Sequence, residues 1–225
     1  MHKNNLKHRL TAILLSLVLF LLSPGIAVAE NSTDMSRFTD VIPGQWYYAA
    51  IEFVVTNGYF KGVSETSFAP AQPMTRAMFV TALGRMAGVD PKAEPQARFK
   101  DVESNSYYIG YVAWASKNGI VQGLSNDLFS PDAFVTREQV AVFLYRYAQY
   151  IGMDVSIGQT AVPHSSNNST FNGENIISPW AMTAMSWASS RGILRGTDKG
   201  LEPQTEATRA QVAQMLYSFS LLTKN

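Results

Sequence analysis

One segment occurs three times in this 225-residue chain, and this repetition constrains the fold more than any other feature. The copy at 99–150 aligns without a gap with the copy at 38–88, 61 residues earlier. A degraded third copy at 171–222 lies 73 residues downstream over its first half and 72 over its second. A repeat of this length is one supersecondary unit, and neighbouring units cover each other's apolar faces. The chain is therefore expected to fold as three units around a shared core.

Each copy contains two amphipathic segments of helical period, joined by an irregular connector. Apolar residues recur in both segments at the spacing that lines the core-facing side of a helix. A glycine follows the first segment, where a helix end favours a left-handed residue, and the second segment opens with Thr-Arg. The glycines are Gly58, Gly119 and Gly192, and the pairs are Thr75-Arg76, Thr136-Arg137 and Thr208-Arg209. The pattern predicts one all-α domain of three helix–loop–helix repeats.

The threonine of each pair is a typical helix N-cap, because its hydroxyl accepts a hydrogen bond from a backbone N–H of the first turn. Gln139 and Gln211 stand three residues after their threonines, which predicts capping boxes in copies two and three. Met78 takes this position in copy one and cannot complete a box. The second helix of copy one is therefore expected to start less firmly.

The N-terminus predicts export. Cations at Lys3, Lys7 and Arg9 precede an apolar run at 11–22, and small residues end at Ala29. This order is typical of a secretory signal peptide at 1–29, and no later segment is long and apolar enough to span a membrane. Its removal leaves 15 Lys and Arg against 17 Asp and Glu, a formal net charge of −2. This balance argues against nucleic-acid binding.

Enzyme motifs are absent from the chain, and no cofactor or metal site is predicted. There is no cysteine, and His164 is the one histidine that follows the signal peptide. A pair of carboxylates could still hydrolyse a glycan, since such acids are found by geometry rather than spacing. Asp40 and Asp101, however, recur with the repeat, which favours a role in the scaffold. We expect no catalysis, with glycan hydrolysis as a minor alternative.

An arginine in the first turn of each second helix needs an explanation. Such a cation opposes the helix dipole by about 0.3 to 1 kcal/mol at exposed sites. Two interpretations follow. Beside free N–H groups the arginine is a receptor for a carboxylate or phosphate; alternatively, it pairs with an acid of the neighbouring repeat, such as Asp40 or Asp101. The residues are Arg76, Arg137 and Arg209.

An aromatic pair spaced seven residues apart recurs at the first helix, and on a helix such a pair shares one face. Aromatic rings stack on sugars in carbohydrate-binding proteins, but they also dominate small helical cores. We expect the pairs to contribute mainly to the core, with the first member more exposed than the second. The first members are Trp46, Tyr107 and Trp180, and the second members are Phe53, Trp114 and Trp187.

These features together resemble the S-layer homology (SLH) domain family. The resemblance rests on Phe-x-Asp at 38–40 and 99–101, Asn-Gly at 57–58 and 118–119, and the three Thr-Arg stretches, and it covers nearly all of the chain after residue 29. It implies a pseudo-threefold helical spindle whose grooves bind pyruvylated secondary cell-wall polysaccharide. Such repeats anchor exported proteins non-covalently to the cell wall. An alternative role is assembly with other surface-layer proteins that carry SLH repeats.

The resemblance also implies roles for individual residues. Arg76, Arg137 and Arg209 would meet the acidic ketal of the sugar, and Asp40 and Asp101 would take the family's aspartate position. This chain departs from the family's Thr-Arg-Ala-Glu signature, because Met78, Gln139 and Gln211 replace its glutamate. Copy three reads Phe-Asn-Gly at 171–173 and lacks the aspartate, for which Glu174 could substitute. We therefore expect fewer than three equivalent binding sites.

Overall fold

In the part of the chain that the structure describes, the regular structure consists of six α-helices, two in each repeat, and two short 3-10 turns at Met35–Arg37 and Pro179–Ala181. The computed structural model describes residues 35–94, 96–157 and 176–223. Within those ranges there is no strand, only isolated bridges, so the predicted all-α fold is confirmed. The helices are α1 Tyr48–Thr56, α2 Arg76–Met86, α3 Ile109–Lys117, α4 Arg137–Tyr150, α5 Met182–Ser190 and α6 Arg209–Leu222.

The helix ends follow the local sequence signals. Each first helix is followed by a left-handed glycine, with φ of 71°, 70° and 68° at Gly58, Gly119 and Gly192. Each second helix is capped by its threonine, whose side chain accepts from the N–H three residues on. Complete capping boxes are present in α4 and α6, as Gln139 and Gln211 predict, whereas α2 has the threonine bond alone.

Helices from different repeats pack against each other in a cycle. The first helix of each repeat contacts the second helix of the preceding repeat, so α3 lies on α2, α5 on α4, and α1 on α6. The second helices contribute large side chains to a common core. The ring centroids of Phe79 and Phe143 lie 5.6 Å apart, and those of Phe219 and Tyr147 also lie 5.6 Å apart. Burying each such ring stabilises the fold by about 1.5 to 3 kcal/mol. The repeats therefore depend on one another for their cores.

A closed ring of backbone hydrogen bonds joins the extended residues just before the three second helices. Met74 N–H donates to Ala207 O at 3.0 Å, Ala207 N–H to Val135 O at 2.8 Å, and Val135 N–H to Met74 O at 2.9 Å. Each repeat thus supplies one donor and one acceptor to its two neighbours. This ring is the structural basis of the pseudo-threefold arrangement.

Two expectations lie outside the described residues. These are the signal peptide at 1–29 and the start of the third repeat at 171–174, which includes Glu174. Among the helices the structure does describe, none has the length and apolar character that a membrane crossing requires.

Candidate functional site

The three first-turn arginines lie between repeats and are almost completely buried. Arg76 is 1% exposed, Arg137 3% and Arg209 5%. Each guanidinium enters the connector of the next repeat and donates from Nε and Nη2 to two backbone carbonyls. The acceptors are Phe129 O (2.9 Å) and Gln122 O (2.8 Å) for Arg76, Leu201 O (2.9 Å) and Arg195 O (2.7 Å) for Arg137, and Phe68 O (2.8 Å) and Lys61 O (2.7 Å) for Arg209.

Aromatic rings support two of these buried cations. The guanidinium of Arg76 lies 4.6 Å from the Phe129 ring centroid, and that of Arg209 lies 4.5 Å from the Phe68 ring. Burial lowers the pKa of Arg76 to about 10, although Asp101 acts in the opposite direction. The side chain therefore remains protonated at neutral pH. Burying a cation in this way costs several kcal/mol of desolvation free energy. Several charge-assisted hydrogen bonds together can offset a cost of this size.

The expectation of free N–H groups beside these arginines is wrong. In α2, the N–H of Arg76 donates to Ala133 O at 2.9 Å and that of Ala77 to Pro131 O at 3.0 Å, and α4 and α6 make the equivalent bonds. The next N–H is held by the capping threonine. The connector of the neighbouring repeat thus occupies the position where an anion would bind the helix N-terminus. The alternative of direct pairing with an acid also fails, since no arginine–carboxylate contact within 4 Å involves these three residues in the described part.

Asp40 and Asp101 hold the connectors of their own repeats. Asp40 accepts from Ser67 Oγ at 2.6 Å and from the N–H groups of Phe68 at 2.8 Å and Ala69 at 2.7 Å. Asp101 accepts from the N–H groups of Phe129 at 2.8 Å and Ser130 at 2.7 Å. Burial raises the pKa of Asp40, but these hydrogen bonds outweigh it and bring the pKa below its ordinary value of 3.8.

These aspartates also stabilise an unfavourable backbone conformation. Ala69 and Ser130 have φ of 58° and 59°, a left-handed conformation that L-residues adopt only at a cost of about 1 to 2 kcal/mol. The same loop segment presents the Phe68 and Phe129 carbonyls to Arg209 and Arg76. Aspartate, connector and arginine therefore form one chain of contacts between adjacent repeats.

The aromatic residues divide as predicted between solvent and core. Trp46 is 60% exposed, Tyr107 59% and Trp180 57%, whereas Trp114 and Trp187 are buried. The exposed residues lie just before the first helices rather than on them, and Trp180 belongs to the turn Pro179–Ala181. The idea of a shared helical face is therefore wrong.

A buried carboxylate that sequence reasoning missed fixes the turn carrying Trp180. Glu138, 3% exposed, accepts from the N–H of Ser178 at 3.0 Å and from its hydroxyl at 2.8 Å. The equivalent residues of the other repeats are Ala77 and Ala210. The sequence did contain a signal for this residue, because a charged side chain stands at a position where the other two repeats have alanine.

A second set of arginines lies farther along the second helices. Arg85 in α2 and Arg146 in α4 occupy equivalent positions, and Ser218 takes this place in α6. Arg85 Nη1 donates to Tyr59 O at 3.2 Å. Sequence reasoning missed these residues, although their 61-residue spacing was visible.

One open cleft of about 340 Å³ lies elsewhere, between the linker after repeat one and the C-terminal half of α3. Its polar lining includes Arg98 and the ion pair between Lys117 and Glu94. None of the predicted binding residues contributes to it.

Comparison with protein families gives one family match. The model of the S-layer homology domain matches residues 37–78, 98–141 and 175–213, which correspond to the three repeats.

Relatives with similar sequences are much longer than this chain. An endoglucanase of Bacillus sp. is 27% identical over 90% of this chain and 21% of its own length. A cell surface protein of Thermoanaerobacter kivui is 30% identical over 60% of this chain and 18% of its own. The surface-layer 125 kDa protein of Lysinibacillus sphaericus is 25% identical over 86% of this chain and 15% of its own. The similarity to the endoglucanase is confined to the repeats and gives no support for catalysis in this chain.

Proposed function

Because this chain belongs to the S-layer homology domain family, we propose that it binds pyruvylated secondary cell-wall polysaccharide in the grooves between its repeats. The family and the surface proteins among its relatives indicate a role at the cell surface. Non-covalent attachment of an exported chain to the wall is the specific function proposed here. The proposal involves no catalysis and no cofactor.

The recurring exposed aromatic residue is the observation that carries this proposal. Trp46, Tyr107 and Trp180 each expose more than half of a large ring at the start of a first helix. Each of these helices packs on the second helix of the preceding repeat, which supports a position for each ring at a junction between two repeats. An exposed ring offers an apolar face on which the C–H side of a sugar can stack. Three such rings at equivalent positions suit a polymer with a repeated sugar.

The first-turn arginines take a modified role in this proposal. Nε and Nη2 of Arg137 and Arg209 bind carbonyls, so a carboxylate would reach these residues through Nη1. In Arg76 the Nη1 already lies 3.3 Å from the Gln139 Oε1. Direct contact of these arginines with the ketal carboxylate therefore stays a prediction. Asp40 and Asp101 act by holding the connector that shapes the groove.

Binding to other surface-layer chains is the second candidate. The connectors expose apolar side chains, with Val63 50%, Leu124 57% and Leu128 44% exposed. Several relatives are themselves named as S-layer proteins. If this function dominates, the purified chain forms larger species as its concentration rises, and polar substitutions at Val63 and Leu124 abolish them.

The test is equilibrium binding of residues 30–225 to secondary polymer released from sacculi. A variant with Trp46, Tyr107 and Trp180 changed to alanine should lose at least about tenfold in affinity, since sugar–aromatic stacking is removed at every groove. The matched control changes Ile42, Val63 and Leu124 to serine, since these are similarly exposed apolar residues at other positions. Equal affinity of the aromatic variant and the wild type would contradict the proposal.

A further inference from the structure

Arg146 differs from its equivalents in the other repeats because it has no partner in the part of the chain that the structure describes. Arg85 donates to the Tyr59 carbonyl, and Ser218 accepts from Gln214 Nε2 at 3.2 Å. Arg146 is half-buried, yet it makes no hydrogen bond or ion pair with any residue that the structure describes. Burial lowers its pKa, and no neighbouring carboxylate counters this. A partly desolvated cation without a counter-charge is unfavourable unless a ligand supplies one.

The repeat relation predicts that Arg146 lies on the side of α4 that faces Trp180. In the preceding repeat pair, Arg85 lies close enough to Tyr107 to act on its pKa, although burial is the largest influence there. Trp180 is the counterpart of Tyr107, and its 3-10 turn contacts α4. By this equivalence, the groove between repeats two and three combines an exposed indole with a guanidinium that has no partner among the described residues.

The carboxylates around the three grooves differ as well. Asp132, which acts on the pKa of both Tyr107 and Tyr108, places an exposed acid beside the groove between repeats one and two. Its equivalents are Gln204 in repeat three and Ala71 in repeat one. Gln204 is neutral and donates to Ile176 O at 3.1 Å. Glu138, the acid near Trp180, is buried and bound by Ser178.

We propose that the groove between repeats two and three, where Arg146 faces Trp180, is the principal carboxylate-binding site of this chain. This inference rests on the function proposed above and ranks the three grooves for an anionic sugar. The groove between repeats one and two is second, because Arg85 is engaged and Asp132 repels an anion. The groove between repeats three and one is weakest, because Ser218 replaces the arginine. An arginine can hold a carboxylate through two parallel hydrogen bonds, and the indole stacks on the sugar ring.

The experiment uses two probes with residues 30–225: the methyl glycoside of a hexosamine bearing a pyruvate ketal, and the methyl ester of that ketal. Indole N–H signals in NMR spectra report each tryptophan separately. The Trp180 signal should shift at a lower concentration of the acid than the Trp46 signal. Arg146→Gln should weaken the Trp180 response to the acid by about tenfold or more. Both proteins should bind the ester equally weakly.

Arg85→Gln is the matched control, and it should change the Trp180 response by less than about threefold. Arg146→Lys should retain part of the affinity, because it keeps the charge but not the paired hydrogen bonds. An unchanged Trp180 response in Arg146→Gln, or a larger loss in Arg85→Gln, would overturn the inference while leaving wall binding intact. Failure of the wild type to bind both the acid probe and the released polymer would overturn the proposed function as well. Thermal melting confirms folding, since Arg146→Gln removes no described hydrogen bond.

Discussion

The connectors of repeats one and two are built differently from the connector of repeat three, although all three bind a neighbouring arginine in the same way. In the first two, an aspartate holds the loop and a phenylalanine ring packs on the arginine. In the third, Leu201 replaces the ring, and a tight turn is closed by hydrogen bonds between Thr197 and Gly200. The arginine contacts survive because their acceptors are backbone carbonyls, which every residue type provides. The carbonyl contacts to the arginine are therefore shared by the three copies, whereas the side chains that stabilise the loop are not.

The largest expected effect is the loss of an inter-repeat arginine. Arg76→Met leaves the carbonyls of Phe129 and Gln122 without their donor and removes the contact with the Phe129 ring. The free energy of unfolding should fall by about 4 kcal/mol for Arg76→Met but by about 3 kcal/mol for Arg137→Met, which loses no ring contact.

Urea denaturation of residues 30–225 measures both values. Arg146→Met is the matched control, since it removes a buried part of an arginine without any hydrogen bond, and it should cost less than about 1 kcal/mol. Equal losses for all three variants would show that arginine burial, and not carbonyl binding, holds the repeats together.

A smaller effect is expected from the pH dependence of the aspartate that holds connector one. The pKa of Asp40 in the folded chain lies below its ordinary value of 3.8. Asp40 therefore stabilises the fold fully above that ordinary value, and this stabilisation is lost as the pH falls through the lower folded value. Asp40→Asn should reduce the decline in unfolding free energy below about pH 4, because the carboxylate no longer titrates.

Denaturation midpoints between pH 2 and pH 7 test this prediction. Glu52→Gln, an exposed change on α1, is the control and should leave the slope unaltered. An acid slope that persists in Asp40→Asn would assign the acid sensitivity to other carboxylates.

The smallest effect concerns helix capping in repeat one. Met78→Gln gives α2 the box that α4 and α6 already have, so stability should rise by a few tenths to about 1 kcal/mol. The reverse change Gln211→Met in α6 should lower it by a similar amount. Thermal denaturation measures both changes in stability, and the prediction requires that they have opposite signs in the two variants. Stabilisation by Gln211→Met would show that the glutamine contributes nothing at this position.

Local features of this fold could be predicted from sequence, whereas contacts across repeats could not. The left-handed Gly58 and the capping boxes at Thr136 and Thr208 depend on a few neighbouring residues. The partners of Arg76 and Arg209 are main-chain oxygens 53 and 141 residues away, which no side-chain pattern identifies. Sequence also makes Arg85 and Arg146 look alike, although only Arg85 donates to a carbonyl among the described residues. The repetition in the sequence therefore identified the candidate residues, but the partners of those residues could be read only from the packed structure.

The burial of the three first-turn arginines also decides which variants can be used to test wall binding. Replacing the three first-turn arginines would break the contacts between repeats, so a loss of binding could reflect unfolding. The exposed aromatic residues Trp46, Tyr107 and Trp180 lie outside that framework, and replacing them should leave the fold intact.

The most direct measurement is pelleting of residues 30–225 with peptidoglycan sacculi before and after acid removal of the secondary polymer. Wild type and the Trp46, Tyr107, Trp180 triple-alanine variant are compared, each with a melting curve that confirms folding. The account predicts that wild type pellets with untreated sacculi and stays in solution with stripped sacculi, and that the folded variant stays in solution with both. Undiminished pelleting of the wild type with stripped sacculi would contradict the account, because the target would then be peptidoglycan itself or the sacculus surface.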